Sequence, residues 1–169
     1  MMNTFLEEVY KLKDIIRYNT RIKITQESVA EHSFFVAVIT LHLCNKYNLD
    51  EKTTSTCIIK ALLHDMPEME INDITHDVKE KLNLRPLLKK YEDDYYKKYY
   101  PKYSKMLCND DENLVNTIVE LADVLSVIQF CNREKTLGNT SKQINEIVNN
   151  SKDRISVLYS KLKELTNHE

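Results

Sequence analysis

The chain has 169 residues, one glycine, three prolines and a formal charge of −2. That length suits one domain with a buried core. So little glycine excludes a sheet built on tight turns and points to a helical protein, and the lack of basic excess gives no charge-based reason to expect a nucleic-acid polymer as partner.

The spacing of Phe5, Val9, Leu12 and Ile16 predicts a first helix over about 3–18. Residues 19–27 read as an ordered polar connection. Ser28 and Glu31, three apart, form a capping-box pattern that opens a second helix. That helix carries two apolar stripes, one through Val29, Val36, Ile39 and Leu43, the other through Ala30, Phe34, Ala37, Leu41 and Cys44. Two stripes predict a broadly buried, central element. Asp50 reads as the N-cap of a third helix. It ends near Asp65, because Met66 precedes Pro67 and the residue before proline disfavours the α region.

Pro86 suits the first turn of a helix that continues through the Tyr-rich stretch to Pro101. Tyr91, Tyr95 and Tyr99 recur every four residues, so they are expected to pack on the body rather than stack on bases. A long helix is expected from Asp111 to Lys135, with Gly138 as its stop signal. The last helix is placed from Thr140, with Gln143 completing a capping box. Its series Ile144, Val148, Ile155, Leu158, Leu162 and Leu165 reads as core or dimer contact. No internal repeat or linker is visible. The reading is therefore a single all-α domain over 1–169, with a core over 5–135 and an amphipathic C-terminal helix over 140–166.

Cys44, Cys57, Cys108 and Cys131 lie far apart without a Cys-x-x-Cys, which argues against thiolate zinc. The expectation is a reduced, cytoplasmic protein. No secretory signal and no apolar run long enough to span a membrane are expected.

His64 and Asp65 close the apolar run from Cys57 to Leu63. Polar groups at the end of a buried helix are costly without a partner, and the negative end of the helix dipole favours a cation. Between Leu114 and Cys131 the only acids are Glu120 and Asp123. A carboxylate flanked like Asp123 would neutralise unless paired. With His32 in the first turn of the second helix, the chain offers two imidazoles and two carboxylates. That mixed N/O set suits one divalent ion such as Mn, Fe, Co or Zn. Glu68, one turn beyond His64, is placed to hold or deprotonate a water whose pKa the ion lowers to about 7. The logic is metal-assisted hydrolysis. His42, His76 and His168 read as bland, and Lys79 is weighed between a phosphate and solvent. No second histidine pair follows His64, which argues for one metal.

The ordered segments Glu27-Ser28-Val29-Ala30-Glu31-His32-Ser33, Ala61-Leu62-Leu63-His64-Asp65-Met66-Pro67-Glu68, Asn72-Asp73-Ile74 and Leu121-Ala122-Asp123 resemble the HD-domain phosphohydrolases. Within them the chain is most similar to the bacterial 5′-deoxynucleotidase (YfbR-like) branch. The resemblance implies an all-α fold and one metal, often Co or Mn, at His32, His64, Asp65 and Asp123. It implies a catalytic acid at Glu68 and a residue assisting the leaving group at Asp73. It implies phosphate release from deoxynucleoside 5′-monophosphates, with Arg17 contacting substrate and helping to exclude ribose. Dimers are common in that family, so a homodimer belongs to the expectation.

The chain departs from the pattern at three places. Tyr18 stands where Trp is usual and lines the sugar side with a hydroxyl. Asn72 replaces the usual Gly before Asp73, at a turn that Asn's tolerance of left-handed backbone suits. The Tyr-rich segment 89–111 matches poorly. A guanosine tetraphosphate-type pyrophosphohydrolase is the alternative enzyme, against which Met69 after Glu68 counts. A non-catalytic nucleotide-binding regulatory module is the alternative outside enzymology.

Overall fold

A computed structural model describes residues 2–109, 111 and 113–166; His168 lies outside them. In chain order the helices are α1 (Met2–Tyr10), a 3-10 turn (Lys11–Lys13), α2 (Val29–Lys46), α3 (Glu51–Leu63), α4 (Glu68–Ile71), α5 (His76–Lys81), α6 (Arg85–Tyr99), α7 (Ser104–Leu107), α8 (Leu114–Thr136) and α9 (Lys142–Thr166). No strand occurs among the described residues, only an isolated bridge between Ile16 and Ser28.

Local sequence explains most boundaries. Ser28 caps α2 with the full capping box. Its side chain accepts from the Glu31 amide, and the Glu31 carboxylate accepts from the Ser28 amide. The Asp50 carboxylate accepts from the Thr53 amide and opens α3. Gly138 stops the chain after α8 at φ 97°, where its amide donates to the Lys135 carbonyl.

Three boundaries differ from the sequence expectation. The first helix ends at Tyr10 rather than near Tyr18. Residues 15–17 pair with 27–29 instead: the Val29 amide donates to Ile15 and the Arg17 amide to Glu27, each at 2.9 Å. The long helix starts at Leu114, not Asp111, because the Asn113 side chain accepts from the Asn116 amide. The last helix starts at Lys142, not Thr140. The hydroxyl of Ser141 accepts from the Ile144 amide, and Gln143 is drawn away to accept from the Ile22 amide.

The main core joins α2, α3, α8 and α9 through residues such as Val36, Leu43, Ala61, Ile118, Leu121, Leu158 and Leu162. A second cluster holds Leu12, Ile15, Val29, Met66, Met69, Tyr95 and Tyr96, so the tyrosines pack on the body. A third joins Phe130, Cys131, Ile144 and Val148, with Tyr18 against it. By length and apolarity α8 is long enough to cross a membrane, which corrects the sequence expectation. Its apolarity follows from contact with α2, α3 and α9 together. The second helix is less buried than expected. Phe34, Phe35, Val38 and Leu41 are all exposed, because neighbours cover only the face through Val36 and Leu43.

Candidate metal centre and active site

Each candidate ligand is delivered by a different local device. His32 lies in the first turn of α2, anchored by the Ser28 box, and is fully buried. His64 caps the C-terminus of α3, and Asp65 begins the turn that Pro67 forces. Asp123 sits mid-way along α8.

Their polar atoms converge. One ligand atom from each of His32, His64 and Asp65 lies within 4.8 Å of the others. The His32 Nε2 is 3.0 Å from Asp123 and 3.6 Å from Asp65, and the His64 Nε2 is 3.2 Å from Asp65. The Nδ1 atoms face away: that of His64 lies 2.7 Å from the Ala61 carbonyl, and that of His32 lies 3.3 Å from the Ser126 hydroxyl. Both Nε2 atoms, and Oδ1 of Asp123, are buried with no aligned hydrogen bond. Buried polar atoms are rarely left so. Two imidazoles fixed from behind, with orphaned nitrogens facing two carboxylates, fit a divalent cation.

The charges interact strongly. Burial opposes the charged form of His64, but Asp65 and Asp123 outweigh it and raise the imidazole to about 9. At Asp65 burial acts upward, yet His64, His32 and Arg17 bring the carboxyl well below its usual range. Asp123 is likewise lowered, against burial, by His32 and His64. Glu68 goes the other way: burial, then Asp65 and Asp73, push it up to about 9. Its Oε2 is also buried without a partner.

The centre forms part of the wall of a cavity of about 620 Å³ that also holds Arg17, Tyr18, Glu68 and Asp73. Arg17, Tyr18, Asp65, Glu68, Asp73 and Asp123 line this cavity, and His32 and His64 adjoin it through Asp65 and Asp123. Arg17 donates to Glu27 at 3.0 Å, which fixes its guanidinium at the wall. Tyr18 has φ 56° and its amide donates to the Asp73 carboxylate. Its ring stacks on Phe130, centroids 4.7 Å apart. Asn72 has a positive φ before Asp73, 62°, but its ψ of 171° lies outside the left-handed region that asparagine tolerates.

Sequence reasoning missed several residues. Arg21, Arg85 and the supposedly bland His76 line the cavity, as does Lys79, which the sequence left between a phosphate and solvent. So do Val127 on α8 and Ile147, Asn150 and Ser151 on α9. None carries a local signal; only the packing of α9 on α8 brings them there. The tyrosines also reach the candidate metal centre. The Tyr96 hydroxyl donates to the carbonyls of Leu63 and His64, at 2.9 and 2.7 Å.

Residues 4–167 match the profile of the family described as 5'-deoxynucleotidase YfbR-like. The chain belongs to that family. Membership makes it a hydrolase of nucleotide phosphate esters. It is 24% identical over 162 residues to a dATP triphosphohydrolase of Acinetobacter phage SH-Ab 15497, a match covering 86% of this chain and 76% of that one. It is 27% identical over 150 residues to a 4'-phosphooxetanocin A phosphatase of Priestia megaterium, covering 87% of this chain and 66% of that one. Among solved structures, an HD-domain phosphohydrolase from Listeria innocua superimposes with a TM-score of 0.75 at 20% identity, over 98% of this chain and 82% of that one. A cyanophage S-2L HD phosphohydrolase, bound to dA and one catalytic Zn2+ ion, superimposes with a TM-score of 0.68 at 13% identity, over 96% and 94%. These likenesses establish the all-α fold of the HD-domain phosphohydrolases.

Proposed function

We propose that the chain releases phosphate from nucleoside 5′-monophosphates, deoxyribonucleotides among them, using one divalent transition metal held by His32, His64, Asp65 and Asp123. The observation that carries the reading is the pair of orphaned imidazole nitrogens facing two carboxylates, in a cavity that also contains Glu68, Asp73 and Arg17. The dA and Zn2+ bound by the cyanophage neighbour support both the metal and the nucleotide. The donor set admits Co, Mn, Zn or Fe.

A bound ion supplies Lewis acidity, polarising a phosphoryl oxygen and acidifying water. The chain supplies the rest. Burial and the neighbouring Asp65 and Asp73 raise the proton affinity of Glu68; a cation at the centre would offset those charges, and ionised Glu68 would then take the proton of the water that attacks phosphorus. The P–O5′ bond breaks in line, and the departing oxygen takes its proton from a solvent water that the Asp73 carboxylate orients. The Tyr18 amide holds the Asp73 carboxylate for that step. Arg17, braced by Glu27, offers its guanidinium to the substrate, and Tyr18 walls the sugar side.

The test is Asp65→Ala, assayed for phosphate release from dAMP with Mn or Co. Turnover should fall by about two orders of magnitude or more; undiminished turnover would sink the mechanism. A second reading extends the substrate to triphosphates. Arg21, His76, Lys79 and Arg85 line the same cavity, and the pairs Arg21–Asp77 and Arg85–Glu80 are partly exposed, so they cost little to rearrange. Higher kcat/KM for dATP than for dAMP would favour it.

The reading includes a homodimer through α2. Phe34, Phe35, Val38 and Leu41 form its exposed face, with Glu31 towards one end and Lys46 at the other. Antiparallel pairing with a second copy sets acid against base and buries four large side chains. Light scattering after gel filtration should give twice the 20.0 kDa chain mass, and Phe34→Lys should return it to one. The free cysteines suit a cytoplasmic setting.

A further inference from the structure

We infer that Asp77 limits the length of the phosphate chain this site accepts, by holding Arg21 neutralised in the cavity wall. This rests on the nucleotide-hydrolase reading above and names the residue that decides between a monophosphate and a triphosphate.

Acids and bases both line the cavity, so its charge has to be read pair by pair. Each of its three arginines is already matched. Arg17 pairs with Glu27, Arg21 with Asp77 and Arg85 with Glu80. Glu27 and Glu80 lie outside the lining of this cavity, whereas Asp77 belongs to it. Among the described residues, Arg21–Asp77 is thus the arginine pair whose two members both face a ligand.

The pair has a fixed place. The turn 18–21 closes on itself, the Arg21 amide donating to the Tyr18 carbonyl at 2.9 Å. Both ends of that turn are tied to the same neighbouring segment. The Tyr18 amide donates to Asp73 at 3.3 Å, and the Arg21 guanidinium donates to Asp77 in the first turn of α5. Asp73 serves the departing oxygen in the mechanism above. Asp77, anchoring the other end of one short turn, therefore stands near the reacting end of a bound nucleotide.

A triphosphate brings more negative charge than a monophosphate and needs more positive charge around it. Arg21 can supply that only by leaving Asp77. The side chains are 19% and 49% exposed, so opening the pair costs little in itself. What opening leaves behind matters more: an uncompensated carboxylate in the wall, facing phosphate oxygens of like charge. Repulsion of this kind rejects one ligand in favour of another. A monophosphate leaves the pair closed and escapes the penalty.

The experiment compares the Mn-loaded full chain with Asp77→Asn and Arg21→Gln. Deoxyadenosine release from dAMP and from dATP is followed by chromatography. Water cleaves the P–O5′ bond in both, giving phosphate from one and triphosphate from the other. The readout is the ratio of kcat/KM for dATP to that for dAMP. The wild-type chain should favour dAMP. Asp77→Asn should raise the ratio about tenfold, and Arg21→Gln, which leaves Asp77 uncompensated, should lower it. Both variants lose the ion pair, so a role confined to holding the turn moves both ratios the same way. Shifts in the same direction, an unchanged ratio in Asp77→Asn, or a wild-type preference for dATP overturns the assignment. A second arm measures tripolyphosphate binding to the metal-free chain by calorimetry. Tighter binding by Asp77→Asn and weaker binding by Arg21→Gln supports the assignment even if no nucleotide is hydrolysed, an outcome that would instead sink the hydrolase reading. Binding that is equal in the three proteins, or absent from all of them, overturns the assignment.

Discussion

The hydroxyl of Tyr96 donates to the main-chain carbonyl of His64 across 2.7 Å, tying the middle of α6 to the turn that presents the proposed ligand pair His64 and Asp65. The same hydroxyl reaches the Leu63 carbonyl at 2.9 Å. The His64 carbonyl at the end of α3 is thus satisfied from another helix, while that of Leu63 also accepts from the Met66 amide at 3.1 Å. Tyr96→Phe keeps the ring in its buried place and removes only the donor. It should weaken Mn binding by about tenfold, the usual effect of losing an outer support of a metal ligand. Calorimetric titration with Mn checks this. A lowered melting temperature with unchanged Mn affinity would show that Tyr96 acts on the fold alone.

Asn72 occupies φ 62°, ψ 171° immediately before Asp73. That region is nearly exclusive to glycine and costs other residues about 1–3 kcal/mol. Glycine removes the strain but gains freedom in the unfolded chain, worth about 0.4–1 kcal/mol. The balance predicts that Asn72→Gly stabilises the protein by about 1 kcal/mol. Urea unfolding would show a higher midpoint at unchanged slope; a lower midpoint refutes the assignment of strain.

Glu134 is buried near the end of α8 and clamps the 22–25 loop. Its carboxylate accepts from the amides of Ile24 and Thr25, the Thr25 hydroxyl and the Asn139 side chain. Burial would raise its pKa, but these donors lower it from 4.5 to about 2. The folded state thus binds the proton more weakly than the unfolded one. The stabilisation is present above about 4.5 and is lost as pH falls through about 2. Glu134→Gln should unfold more readily at neutral pH, by about 1–3 kcal/mol, with a shallower loss of stability over that acid window. Denaturant melts at several pH values check both parts. Parallel curves for the two proteins would contradict the linkage.

The hydroxyl of Tyr18 is buried without a hydrogen-bond partner while its ring stacks on Phe130. Burial raises its pKa further, so it stays neutral. An unsatisfied hydroxyl costs about 1–3 kcal/mol. Tyr18→Phe keeps the stack and should raise the unfolding free energy by about 1 kcal/mol. A destabilised variant would mean that the hydroxyl has a partner after all.

Much of the site was legible because its local devices are written in short segments. The Ser28 box fixes the start of α2 and so the place of His32. Pro67 fixes the end of α3 and so the turn at Asp65. The apolar setting of Asp123 marks a carboxylate that needs a partner. The first helix was misread because Ile16 keeps helical spacing while the backbone of residues 15–17 finds better partners at 27–29. Periodicity carries no trace of that competition. The exposed face of α2 was misread for a related reason: two apolar stripes show what must be covered, not whether this chain covers it.

By itself, then, the sequence determined the helical class, the main caps and stops, and the four metal-ligand candidates, because each depends on contacts within a turn or two of chain. Only the tertiary structure decided that Tyr96 supports His64, that Glu134 holds the 22–25 loop, and that Asn150 faces the same cavity as Asp65. Those relations join residues tens of positions apart. They are set by how helix faces pack on one another, a property of shape and register that no single segment encodes.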